Sequence, residues 1–164
     1  QLPSLPRPGN LLVVCHESGS SSNSTIQGGG VAQWTRCVGS APDIVNSSVW
    51  FGIVGNSPTS TITMTLASSP NGAAAAVTEW SGLPSTVAYR AVLASEPLGS
   101  TLPHTANVPV NPDELVIAMA GYHQGGNQLS APSDGFVEIG DGRLGTRPLV
   151  AGAVGGEAAQ AVAQ

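Results

Sequence analysis

The chain has 164 residues, of which 41% are hydrophobic but only 9% charged and 4% aromatic, with a net charge of −5. This is one domain's worth of protein, long enough to bury a core. Its five basic residues (Arg7, Arg36, Arg90, Arg143 and Arg147, with no lysine) form no basic stripe that could neutralise phosphates, which argues against nucleic acid as a partner.

No apolar run reaches membrane-spanning length, and no signal peptide is visible. The chain begins at Gln1 rather than Met, and reads as processed or as part of a longer protein. Gly (21) and Pro (13) are frequent. Both punctuate chains and stop helices, so short strands joined by tight turns are expected.

Residues 1–9, with Pro3, Pro6, Pro8 and Gly9, read as an extended Pro-rich arm, because Pro lacks the donor a central strand needs. Leu2, Pro3, Leu5, Pro6 and Pro8 are its candidate assembly contacts. The domain proper is assigned to residues 10–164. Leu11–His16 is the first expected strand, a short apolar run bounded by turn residues. Ser18–Gly30 is expected to be a long flexible loop, and its Gln27-Gly28-Gly29-Gly30 lacks the Lys-Ser/Thr of a phosphate-cradling loop.

Strands are expected at Ala32–Val38 and Ser48–Val54. Thr59–Leu66 shows the clearest period of two, with Ile62, Met64 and Leu66 on one face. Ala73–Trp80 carries four alanines that favour helix. The flanking Pro70-Asn71-Gly72 and Ser81-Gly82-Leu83-Pro84 leave room for only about two turns, marginal for a helix, so a strand is predicted. Further strands are expected at Thr86–Leu93, Ser100–Asn107, Glu114–Tyr122, Gly135–Ile139, Pro148–Val154 and Ala158–Ala163. Turn signals recur at the cadence of a two-sheet antiparallel β-sandwich.

Few features point to chemistry. Glu79-Trp80-Ser81-Gly82 only partly echoes a nucleophile elbow. His16, His104 and His123 are far apart in sequence, and a hydrolase would need one of them within reach of a serine and a carboxylate. Asp134, Glu138 and Asp141 lack the ordered spacing of a calcium loop, so neither a metal nor a cofactor is expected. Asn23-Ser24-Thr25 and Asn46-Ser47-Ser48 match the glycosylation sequon, which a Ser/Asn-rich chain also produces by chance. Trp50 reads as core. Trp34 and Trp80, beside polar residues, are the candidate ligand contacts on a sugar-stacking surface, against the commoner role of core filling. Cys15 and Cys37 are either a disulfide closing about twenty residues, worth roughly 3 kcal/mol, or two buried thiols.

Four stretches in order carry a resemblance: Gly9-Asn10-Leu11-Leu12-Val13-Val14, Val77-Thr78-Glu79-Trp80-Ser81-Gly82-Leu83, Asn111-Pro112-Asp113-Glu114-Leu115-Val116, and Ser133-Asp134-Gly135-Phe136. Together they resemble a jelly-roll-like β-sandwich module of bacterial secreted proteins and of phage tail and capsid-associated (decoration) proteins. The resemblance implies a non-enzymatic role in adhesion, carbohydrate contact or virion architecture, with Glu79 structural and no catalytic residues. It departs at the end, where no aromatic follows Phe136; a sheet edge left unpaired there is expected to be covered by a neighbouring subunit or by the N-terminal arm. The leading expectation is a virion protein, capsid decoration or tail-associated, that oligomerises, with a trimer as the usual form of such decoration proteins. The alternative is a carbohydrate-binding or adhesion module of a secreted protein, with glycans as partners.

Overall fold

The computed structural model describes residues 1–18, 24–39, 46–67, 73–90, 114–120, 137–138, 149–154 and 160–162. The protein is all-β, with no helix among the described residues. Among the described residues, ten strands run in chain order: β1 (Leu11–Ser18), β2 (Ser24–Gly28), β3 (Thr35–Gly39), β4 (Asn46–Ile53), β5 (Ile62–Leu66), β6 (Ala73–Ser81), β7 (Leu115–Ala120), β8 (Val137–Glu138), β9 (Leu149–Val154) and β10 (Gln160–Val162). They form a five-stranded sheet ordered β10-β6-β1-β4-β3, a two-stranded sheet β2-β5 and a three-stranded sheet β7-β9-β8, with every pairing antiparallel.

β1 is the centre. All eight of its residues pair with β4 on one edge and all eight with β6 on the other. Its near-continuous burial explains why the sequence reads Leu-Leu-Val-Val rather than alternating. Successive side chains point to opposite faces. On one face Leu11, Val13 and Cys15 join Trp80 in a core cluster, packed by Val49, Phe51, Ile53, Ala76, Leu83, Val87, Leu115 and Ile117. On the other face stand Leu12, Val14 and His16. Leu12 is fully buried, and its Cδ1 and the Ile62 side chain lie against Gly29, so the β2–β5 pair covers this side.

The strand assignment at Ala73–Trp80 holds because cross-strand bonds to β1 override alanine's helix propensity. The Ser18–Gly30 loop does not hold. β2 lies inside it, with Ser24 and Ile26 turned inward and Thr25 and Gln27 outward against β5. The glycine run is also tied down rather than loose. Val31 N donates to Gly28 O, Gly29 N to Thr61 O and Gly55 N to Gly30 O. Positive φ at both Gly29 and Gly30 gives the reversed turn that matches strand twist. Residues 86–90 form no strand, which corrects the expectation at Thr86–Leu93 as far as Arg90. Ser100–Asn107 lies outside the described residues.

The N-terminal residues are not a detached arm. Arg7-Pro8-Gly9-Asn10 closes a turn through Asn10 N to Arg7 O, with Pro8 setting one central dihedral and Gly9 (φ 85) the other, as in a type II turn. The chain then doubles back. Gly9 N donates to Val54 O and Leu2 N to Ser60 O, and Leu2 and Pro6 are buried. Glu79, only 3% exposed, is the anchor: its Oε1 accepts from Arg7 N at 2.8 Å and from Asn10 Nδ2 at 2.5 Å.

Replacing Glu79 by Ala leaves the part-buried donors Arg7 N and Asn10 Nδ2 without their acceptor, and is expected to cost about 1–3 kcal/mol in urea unfolding and to speed proteolysis within residues 1–9. Unchanged cleavage there would show that the arm is held by its apolar contacts instead. Leu12→Ala is expected to cost about 2–5 kcal/mol, because the sheets on either side collapse only partly onto the space left.

Candidate functional site

The layer between β1 and the β2–β5 pair is apolar in the middle and polar at both ends. Glu79 closes one end. At the other, His16 of β1 lies opposite Ser48 of β4, and Trp50 lies two residues further along the same face. His16 is 2% exposed and Ser48 1%. Trp50 Nε1 donates to Ser48 Oγ at 3.1 Å, and Ser48 Oγ lies 3.3 Å from His16 Nδ1. An indole N–H can only donate, so Ser48 Oγ accepts from Trp50 Nε1, while its bond with His16 Nδ1 runs in the direction set by the imidazole tautomer, because a hydroxyl can both donate and accept twice.

Arg36 of β3 pairs with Trp50, and its guanidinium carbon sits 5.9 Å from the Trp50 ring centroid, a cation–π contact. Burial, and secondarily the Arg36 charge, holds the His16 pKa below its ordinary 6.5. Among the described residues, four buried polar side-chain atoms have no hydrogen-bond partner: His16 Nε2, Ser18 Oγ, Ser24 Oγ and Arg36 Nε. Native interiors leave few such atoms, and each calls for a physical explanation.

Of the sequence candidates, Trp80 is 1% exposed, and its indole donates to Thr78 Oγ1 at 2.8 Å. It belongs to the core and presents no stacking face. Trp34 is half-buried and donates to Gly28 O at 3.2 Å. Cys15 and Cys37 carry thiols, not a disulfide. They sit on strands that flank β4 on opposite sides, β1 and β3. Two strand spacings of about 4.8 Å each exceed the span of about 7 Å that a disulfide tolerates. Cys37 Sγ instead donates to Val49 O at 3.2 Å. Burial, with a smaller effect from Cys37, pushes the Cys15 thiol up to about 12.

In the arm, Leu2 and Pro6 bury against their own chain, while Pro3, Leu5 and Pro8 face outward, Leu5 at 61% exposure. His104, His123, Asp134 and Asp141 lie outside the described residues. Among the described residues no group of three or more His, Cys, Asp or Glu could hold a metal.

His16 was visible in the sequence, but its meeting with Ser48 was not. The signal available was parity: His16 alternates with Leu12 and Val14, and Ser48 with Trp50. A serine and a histidine do meet here. However, no described carboxylate orients His16, and Ser48 Oγ is shut away from solvent. Beside β5 and β6 lies a second feature, an apolar pocket of about 270 Å³ lined by Gln1, Leu2, Val14, Ile62, Met64, Ala75 and Val77. No family model, curated protein or solved structure matches the chain.

Two outcomes follow from these geometries. The depressed His16 pKa means that the unfolded chain binds a proton more readily. The stability is thus present above pH 6.5 and is lost as pH falls from there through the folded-state value. Denaturation midpoints between pH 5 and 8 are expected to show this fall, and His16→Asn to flatten it. A slope unchanged in the variant would assign it to other groups. Cys15 is expected to resist iodoacetamide in the folded protein and to react only on unfolding, read by mass spectrometry of peptides. Alkylation of Cys15 at native pH without unfolding would contradict its burial.

Proposed function

We propose that the chain is a non-catalytic β-sandwich, jelly-roll-like, that works by assembling with other protein chains as a structural component of a phage virion, in capsid decoration or in the tail. The observation that carries the assembly reading is the outer edge of β6. β10 pairs only with Glu79, Trp80 and Ser81, so among the described residues 73–78 have a strand partner on the β1 side alone. That stretch is Ala-Ala-Ala-Ala-Val-Thr, without the charge or proline that ordinarily guards an edge against pairing. Ala75 and Val77 on this strand also line the apolar pocket. An edge unpaired among the described residues, beside an apolar recess, suits a partner chain better than it suits water.

Composition and the four ordered motifs support the virion setting. The surface is poor in charge, and the residue types that recur in catalytic sites are either buried without access or without a carboxylate among the described residues. A carbohydrate-binding module has less support, since Trp34 is the remaining candidate ring once Trp80 is assigned to the core.

Light scattering after size-exclusion chromatography is expected to give a discrete oligomer, and Ala75→Lys, at an exposed position, is expected to shift it toward monomer. Mass spectrometry of purified particles is expected to find the protein in many copies. A monomer at every concentration, together with absence from virions, would overturn the reading. Binding on a glycan array that is lost in Trp34→Ala would transfer support to the carbohydrate module.

A further inference from the structure

The layer between the five-stranded sheet and the β2–β5 pair is under-filled at one place. Close-packed interiors leave few voids larger than a water molecule, yet the pocket here has a volume of about 270 Å³. Its floor comes from two neighbouring strands of the larger sheet. Val14 of β1 pairs with Val77 of β6, and His16 with Ala75, so Val14, Val77 and Ala75 share one face. Its roof is Ile62 and Met64 of β5, which alternate with outward-facing threonines. Both remain half-buried although they are turned toward the larger sheet, because the pocket lies between the layers. Leu2, held by its N–H on Ser60 O, closes one side, and Gln1 is the polar side chain of the lining. Val14 is 2% exposed at the bottom whereas Ala75 is exposed, so the pocket opens along β6. No ionisable side chain is among the lining residues.

We infer that this pocket is a binding site for an uncharged aliphatic chain, such as that of a medium-chain alcohol. Its walls offer methyl and methylene groups with no aromatic ring to stack on, and Met64 can repack around a flexible guest. Water is a poor occupant, because a bound water needs about two to four polar partners and six of the lining side chains are apolar. A carboxylate or an ammonium group drawn inside would lack a countercharge. An apolar cavity of ~150 Å³ holds benzene. Scaled by volume, a pocket of about 270 Å³ holds a chain of roughly ten carbon atoms. The inference goes beyond the assembly reading, since it needs no strand on the β6 edge, although both use Ala75 and Val77.

The test titrates n-octanol into the intact protein below the alcohol's solubility limit, following side-chain methyl signals by carbon-edited NMR. Saturable shifts are expected at Val14, Ile62, Met64 and Val77, and none at Leu11 and Val13 on the opposite face of β1. Affinity is expected to rise about fourfold per added methylene from n-butanol to n-octanol, the increment of burying each methylene. Ala75→Leu, which plugs the mouth at an exposed position, is expected to abolish the shifts. Val77→Ile, which adds one methylene to the lining, is expected to weaken binding several-fold, and keeps the test open should the leucine variant fold poorly. No saturable shift, shifts spread equally over both faces of β1, or undiminished binding in the two variants would each overturn the inference. An oligomer that gives no such shifts would overturn it and leave the assembly reading intact. A monomer that gives them would support it and count against assembly alone.

Discussion

The double burial of β1 is the constraint on which the rest depends. A strand hydrogen-bonded along both edges and packed on both faces has no surface left to present to water. Everything else is arranged to cover it. β4 and β6 satisfy its backbone, the Trp80 cluster with Leu115 and Ile117 covers one face, and the β2–β5 pair with the folded-back N-terminal residues covers the other. Each face sees a different neighbour, so the two sets of side chains on one strand meet different surroundings. Leu11, Val13 and Cys15 meet a broad apolar cluster, whereas Leu12 and Val14 occupy a short apolar band that is polar at either end.

Those polar ends behave differently. At the Glu79 end donors and acceptor match: a carboxylate accepts from a backbone N–H and an amide, and a type II turn delivers both donors to it. The result is structural. At the His16 end, His16 Nε2, Ser18 Oγ, Ser24 Oγ and Arg36 Nε are buried without a partner, and the Arg36 guanidinium lies over the Trp50 indole. Buried polar groups left this way lower stability unless something outside the chain completes them. This contrast lies inside one layer and across one strand.

Much of the sheet was legible because local pattern and final environment agreed. Leu11–Val14 reads as a buried strand and is one, and the alternation of Ile62, Met64 and Leu66 survives intact in β5. β2 escaped because its inward positions are Ser24 and Ile26. A single apolar residue gives no period, and the strand exists only through its pairing with β5, some forty residues away along the chain. The His16–Ser48 contact spans 32 residues and depends on the register of β1 against β4, which composition does not encode. Trp80 was equivocal for a related reason. Its neighbours Glu79 and Ser81 look like surface, yet Glu79 is buried because the N-terminal residues return to cover it.

The position of β1 in the chain has a kinetic consequence. Its two sheet neighbours, β4 and β6, begin at Asn46 and Ala73, so the pairings that protect Leu11–Cys15 all close long loops. Such non-local closure is slow relative to helix formation. During synthesis at about 5–20 residues per second, this strand emerges seconds before either partner exists. Over that interval Leu-Leu-Val-Val-Cys is an unpaired sticky segment, and the cell must shield it by chaperone or by speed. Yield on expression should therefore respond to temperature and chaperone supply more than to the stability of the finished fold.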